Sequence, residues 1–124
     1  MFERHIRHLL ASLAAAVAVA CSSSSSDAPA SSSQCVVAPA CPDGGVPSYA
    51  SEIAPIIQDE CVPCHSPNGI GGFSETTYAD VYNQFGSMLS QVNACLMPPA
   101  NGPPMTNAQR VALTAWLRCG APDN

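Results

Sequence analysis

Seven cysteines fall within 124 residues, and no other feature limits so strongly what this chain can fold into. A thiol density this high signals an oxidising compartment, covalent chemistry at sulfur, or both. Hydrophobic residues make up 47% of the sequence, but part of that share sits in one N-terminal run, so the core left for the rest is small. One small domain is expected, with cross-links supplementing what burial alone provides. The net charge is −5, there is no Lys, and two of the four Arg, Arg4 and Arg7, stand at the N-terminus. The remainder offers no basic surface to phosphates, which excludes nucleic-acid binding.

Arg4, His5, Arg7 and His8 precede an uncharged stretch, Leu9–Ala20. It has the length of a signal-peptide core and is too short to span a membrane, so residues 1–20 are expected to direct export and to be removed. The stretch ends Ala18-Val19-Ala20-Cys21, which resembles the lipobox of bacterial lipoproteins. That resemblance implies cleavage before Cys21, acylation of its sulfur and a lipid anchor in the cell envelope, on the periplasmic or outer side of a membrane. Ala18 stands where Leu is usual, and ordinary cleavage near Ala20 is the competing reading. Residues 21–47 are rich in Ser, Pro and Gly and read as a flexible tether. Inside it, Cys35 and Cys41 are close in sequence and precede the turn-forming Pro42-Asp43-Gly44-Gly45, which predicts a local disulfide closing a small loop.

Residues 48–124 read as all-α. Ile53, Ile56, Ile57 and Cys61 fall on one helical face, with Pro55 tolerable only in the first turn. Tyr78, Val81, Tyr82, Phe85, Met88, Leu89 and Val92 define a second helix, with Thr77 as N-cap and Gly86 as a possible break. Thr106-Asn-Ala-Gln109 is a capping box opening a third helix. There Ala108, Val111, Ala112, Ala115 and Cys119 are expected to face inward, opposite a stripe of Arg110, Thr114 and Arg118. Three short helices bury little apolar surface, so a staple or a large apolar prosthetic group is expected.

Such a staple stands at Cys61-Val62-Pro63-Cys64-His65. In a Cys-x-x-Cys-His pentapeptide the two thiols can form thioether bonds to the vinyl groups of one haem while the adjacent imidazole reaches the iron. A zinc site would want a second close Cys or His pair, whereas Cys95 and Cys119 stand far apart. A thioredoxin-like dithiol would want a βαβ setting. A plain disulfide pair is the remaining alternative.

At these residues the chain resembles the monohaem class I cytochrome c family, and more narrowly the small cytochrome c domains of bacterial lipoproteins. The resemblance covers residues 48 to about 122 and rests on three segments: the pentapeptide after a short helix, Met97-Pro98-Pro99, and a closing helix that ends Ala115-Trp116-Leu117-Arg118-Cys119-Gly120. It implies one covalent haem c on Cys61 and Cys64, with His65 and Met97 as axial iron ligands, in a domain of about three helices. Pro98 and Pro99 would steady Met97, as a thioether ligand requires. Met105 is the rival ligand, and Met88 falls on the apolar stripe of the second helix.

With Cys21 acylated and two thiols on haem, four cysteines remain, expected to pair as Cys35–Cys41 and Cys95–Cys119 or else to stay free. Gly69-Ile70-Gly71-Gly72 reads as a flexible bend, Trp116 as core, Asp59-Glu60 as a solvated helix face, and Arg118 as a haem-propionate partner or a free surface charge. The resemblance implies an electron carrier, not an enzyme, that serves redox proteins of the cell envelope. A haem-based sensor with a labile distal site and a thiol–disulfide oxidoreductase acting through Cys61 and Cys64 are the competing readings.

Overall fold

The computed structural model of the protein describes residues 35–124. The expected signal peptide, Cys21 and most of the Ser-rich tether lie outside the described residues. A π-helical turn over Tyr49–Ile53 leads into α1 (Ala54–Glu60), followed by α2 (Tyr78–Asn93) and α3 (Asn107–Arg118), with no strand among the described residues. The all-α reading therefore holds.

The helix starts follow their local chemistry. Ser48 caps the π-helical turn, and Pro55 falls in the first turn of α1, where its missing N–H breaks no bond. Thr77 caps α2 in a reciprocal box with Asp80, and Thr106 caps α3 in one with Gln109. Gly86 does not interrupt α2. It lies on the exposed side, with open space where a Cβ would be, so the packed face carries the helix past it.

The core gathers Ile53 and Ile57 from the N-terminal helices, Val81 and Val92 from α2, and Leu113, Trp116 and Leu117 from α3. Trp116 is fully buried, its ring stacked 5.4 Å from Tyr49 and its Nε1 donating to the Pro122 carbonyl at 2.9 Å. The tail after α3 closes over this core. Ala121 is fully buried, and its carbonyl accepts from the Tyr78 hydroxyl at 2.8 Å. The Asn124 side chain accepts from the Tyr49 N–H at 2.9 Å.

Two expectations fail for one physical reason. The stripe assigned to solvent on α3 is buried: Thr114 is fully buried and Arg110 nearly so, whereas Ala108 is exposed. What covers this stripe is the segment assigned to a flexible tether. Ala38, between Cys35 and Cys41, is buried; its N–H donates to Thr114 Oγ1 at 2.8 Å and its carbonyl accepts from Arg118 Nε at 2.8 Å. The folded unit thus takes in the chain from Cys35, not from Ser48.

The disulfide pairing changes accordingly. All four cysteines are bridged, but as Cys35–Cys95 and Cys41–Cys119, with Cα separations of 5.9 and 4.9 Å. These separations lie within the range a disulfide accepts. The bonds from Ala38 to Thr114 and Arg118 lay this segment along α3, so that its two cysteines meet different loops. Each cysteine meets the loop at a helix end: Cys35 after α2, Cys41 after α3.

Candidate functional site

The pentapeptide follows α1 directly as a run of hydrogen-bonded turns. The Cys61 N–H donates to the Ile57 carbonyl at 2.9 Å, and the Cys64 and His65 N–H groups donate back to the Cys61 carbonyl at 3.0 and 2.8 Å. Residues three and four apart on a helical turn share one side, so this winding presents Cys61, Cys64 and His65 together. The chain after His65 then folds tightly against the motif. The Gly71 N–H donates to the Cys64 carbonyl and the Glu75 N–H to the His65 carbonyl, both at 2.8 Å.

Gly69 and Gly71 do more here than form a flexible bend. A Cβ on Gly71 would overlap Nδ1 and Cε1 of His65, and one on Gly69 would overlap the Cys64 carbonyl. The imidazole is thus seated against backbone on one side, with Phe73 near it at a ring-centroid distance of 4.3 Å. Nδ1 of His65 is buried and has no hydrogen-bond partner.

Cys61, Cys64, His65 and Met97 line one cavity of about 530 Å³, walled also by Ile70, Phe73, Met88, Val92 and the prolines 98, 99 and 103. Its volume lies in the range of small-molecule and cofactor pockets. Three of its apolar side chains are left open to solvent: Ile70 is 94% exposed, Phe73 41% and Met97 38%. An apolar occupant would cover them. Met105, the rival to Met97, lines a separate space of about 370 Å³ beside the Cys35–Cys95 bridge and packs on the core. Met88 reaches the first cavity from α2 and is buried.

Cys61 and Cys64 are the two free thiols among the described residues, while the other four cysteines there are bridged. Burial, with the Glu75 carboxyl beside it, pushes the Cys61 thiol up to about 12. A thiol so held is protonated and a weak nucleophile at neutral pH. Among the described residues no group of three or more His, Cys, Asp or Glu is arranged to hold a metal ion, and no helix is long and apolar enough to cross a membrane.

Four residues of the site escaped the sequence reading. Glu75 is 5% exposed, and burial raises its carboxyl above the ordinary range, against the lowering effect of His65 and of its bond with Cys61. Glu60, read as solvated, turns toward the cavity: Oε1 accepts from Gln109 Nε2 at 3.1 Å, while Oε2 is buried without a partner. Asp59 is exposed, as expected. Arg110 donates through Nη1 to the Met97 carbonyl at 2.9 Å and the Val92 carbonyl at 3.0 Å. Gly71 is the fourth. Arg118 meets neither expectation set for it: besides Ala38, it donates to Asn93 Oδ1 at 2.6 Å, tying the N-terminal segment to the end of α2.

Comparison with known proteins adds no relative: no family model, no curated protein and no solved structure matches the chain.

Proposed function

We propose that this chain is an exported electron carrier of the c-type cytochrome class, anchored to a membrane through acylated Cys21 and serving redox proteins of the cell envelope. One haem c would be held by Cys61 and Cys64 through thioether bonds and by His65 and Met97 as iron ligands. The observation that carries the reading is that these four side chains line a single, largely apolar cavity of about 530 Å³. The donor set suits the group: two free thiols in Cys-x-x-Cys sequence spacing, an imidazole and a thioether. The exposed Ile70, Phe73 and Met97 supply apolar surface for it to cover.

When bound, the haem supplies a one-electron iron couple. The protein's part is to hold the ligands still and keep water away, since electron transfer is easiest when little rearranges between oxidation states. His65 is fixed between Gly71 and Phe73, and Met97 stands on a segment stiffened by Pro98 and Pro99. The apolar walls lower the local dielectric and exclude solvent.

The acid-unfolded polypeptide from exported protein should retain a haem-sized mass, and Cys61→Ala or Cys64→Ala should lower the holoprotein yield sharply. A chain whose mass shows no haem ends this reading. Labelling with a fatty acid should mark the parent and not Cys21→Ser; an unlabelled parent removes the anchor and leaves the carrier.

A further inference from the structure

Arg110 is a cation almost wholly withdrawn from solvent, yet among the described residues it meets no carboxylate. It is 8% exposed, and Nη1 donates to two main-chain carbonyls, Val92 at 3.0 Å and Met97 at 2.9 Å. Val92 lies in the last turn of α2, at the negative end of the helix dipole, and its carbonyl also accepts from the Cys95 N–H at 3.1 Å. Met97 lies four residues beyond the end of that helix, on the wall of the cavity. The guanidinium therefore bridges a rigid element and the loop that carries the thioether. Two further ties act on the same short loop. The Leu96 and Met97 N–H groups donate to the Gln91 carbonyl at 2.9 and 3.3 Å, and Cys95 is bridged to Cys35. Of these ties, Arg110 is the one that grips the Met97 carbonyl from another helix.

We propose that Arg110 is a positioning residue for the distal iron ligand: by clamping the Met97 carbonyl to the end of α2 it holds the Met97 thioether at the cavity and resists its displacement. The proposal rests on the reading of the cavity as a haem site with Met97 as ligand. A planar guanidinium can reach two carbonyls at once from one fixed place, whereas an ammonium is a point donor on a flexible stem. Charge-assisted bonds to buried carbonyls are also among the stronger ones a protein makes. Arg118 offers the internal comparison: it bonds the Asn93 side chain at the end of α2 and the Ala38 carbonyl, and so holds the N-terminal segment and not the ligand loop.

The test uses exported holoprotein and titrates the ferric form with imidazole, following the weak thioether-to-iron charge-transfer band. Arg110→Gln should keep its haem by mass, lose most of the band and bind imidazole on the order of tenfold or more tightly, as expected from losing charged hydrogen bonds at the clamp. Arg110→Lys should fall between it and the parent. Arg118→Gln should lower the melting temperature while leaving band and imidazole affinity unchanged, which separates loosening of the loop from general destabilisation. Arg110→Gln protein with the parent's band and affinity overturns the proposal. Should the Arg110 variants fail to accumulate, the parent itself decides by NMR. Its Arg110 guanidinium resonances should shift when imidazole displaces the thioether, and resonances that do not move overturn the clamp. A parent with haem but no band, or with no haem, instead overturns the reading beneath it.

Discussion

At the scale of single residues, the site depends on one missing side chain. The His65 imidazole lies where a Cβ on residue 71 would be, so Gly71→Ala must push the ring or the backbone aside. Overpacking of this kind costs about 1–3 kcal/mol. Gly71→Ala should melt earlier than the parent and, on the proposed haem site, yield less holoprotein with an altered spectrum. Gly44→Ala, at a position with open space around it, should change neither; an unperturbed Gly71→Ala would show that the ring is not held there. Thr114 is a second single point of failure. Its hydroxyl donates to the Arg110 carbonyl at 2.7 Å and accepts from the Ala38 N–H at 2.8 Å, inside the fold. Thr114→Val keeps the shape and strands that N–H, a loss of about 1–3 kcal/mol in denaturant unfolding, with the spectrum of the proposed haem unchanged. A loss below about 0.5 kcal/mol would mean that the segment around Ala38 contributes little.

At the scale of elements, α2 is the longest helix and one whose start responds to acid. Bonds with Thr77 above all, and then from Ser74 and Thr76, hold the Asp80 carboxyl below its ordinary value of 3.8. A carboxylate lowered in the folded state adds stability at pH values above its unfolded pKa, and that contribution is lost as the pH falls through the folded pKa. The parent should therefore melt higher than Asp80→Asn at neutral pH, and the gap should close as acid is added below 3.8. A gap independent of pH would assign the difference to something other than the charge. The Thr77 cap, the Thr106–Gln109 box and the apolar faces of α1 and α2, save for the exposed Tyr82, were legible in the sequence because each is set by residues within one or two helical turns. The inward face of α3 was not, because what covers Thr114 and Arg110 comes from distant chain: Ala38 in one case and the loop after α2 in the other.

At the scale of the whole molecule, the two disulfides convert a three-helix fold into a closed frame. Cys35–Cys95 and Cys41–Cys119 span 60 and 78 residues. The loop-entropy relation gives about 4 kcal/mol for each, non-additive because the loops overlap. Digestion of unreduced protein should release peptides joining Cys35 to Cys95 and Cys41 to Cys119. A peptide joining Cys35 to Cys41 would restore the local loop that the sequence favoured. Removing the first bridge with Cys35→Ser and Cys95→Ser should lower stability by several kcal/mol and leave the second intact. A small folded unit with seven cysteines in its chain relies on such links in place of a larger core.

The sequence by itself determined the helical class, two of the three helix caps, the Trp116 core position and the grouping of Cys61, Cys64 and His65, because all of these follow from local spacing along one chain segment. Only the tertiary structure decided which cysteines pair, that the chain from Cys35 belongs to the folded unit, and that Met97 rather than Met105 shares a cavity with His65. Four cysteines allow three pairings, and the one that closeness in sequence favours is not the one formed. The choice fell to burial of Ala38 and to hydrogen bonds between residues some 76 to 80 positions apart, interactions that exist only once α2 and α3 have packed.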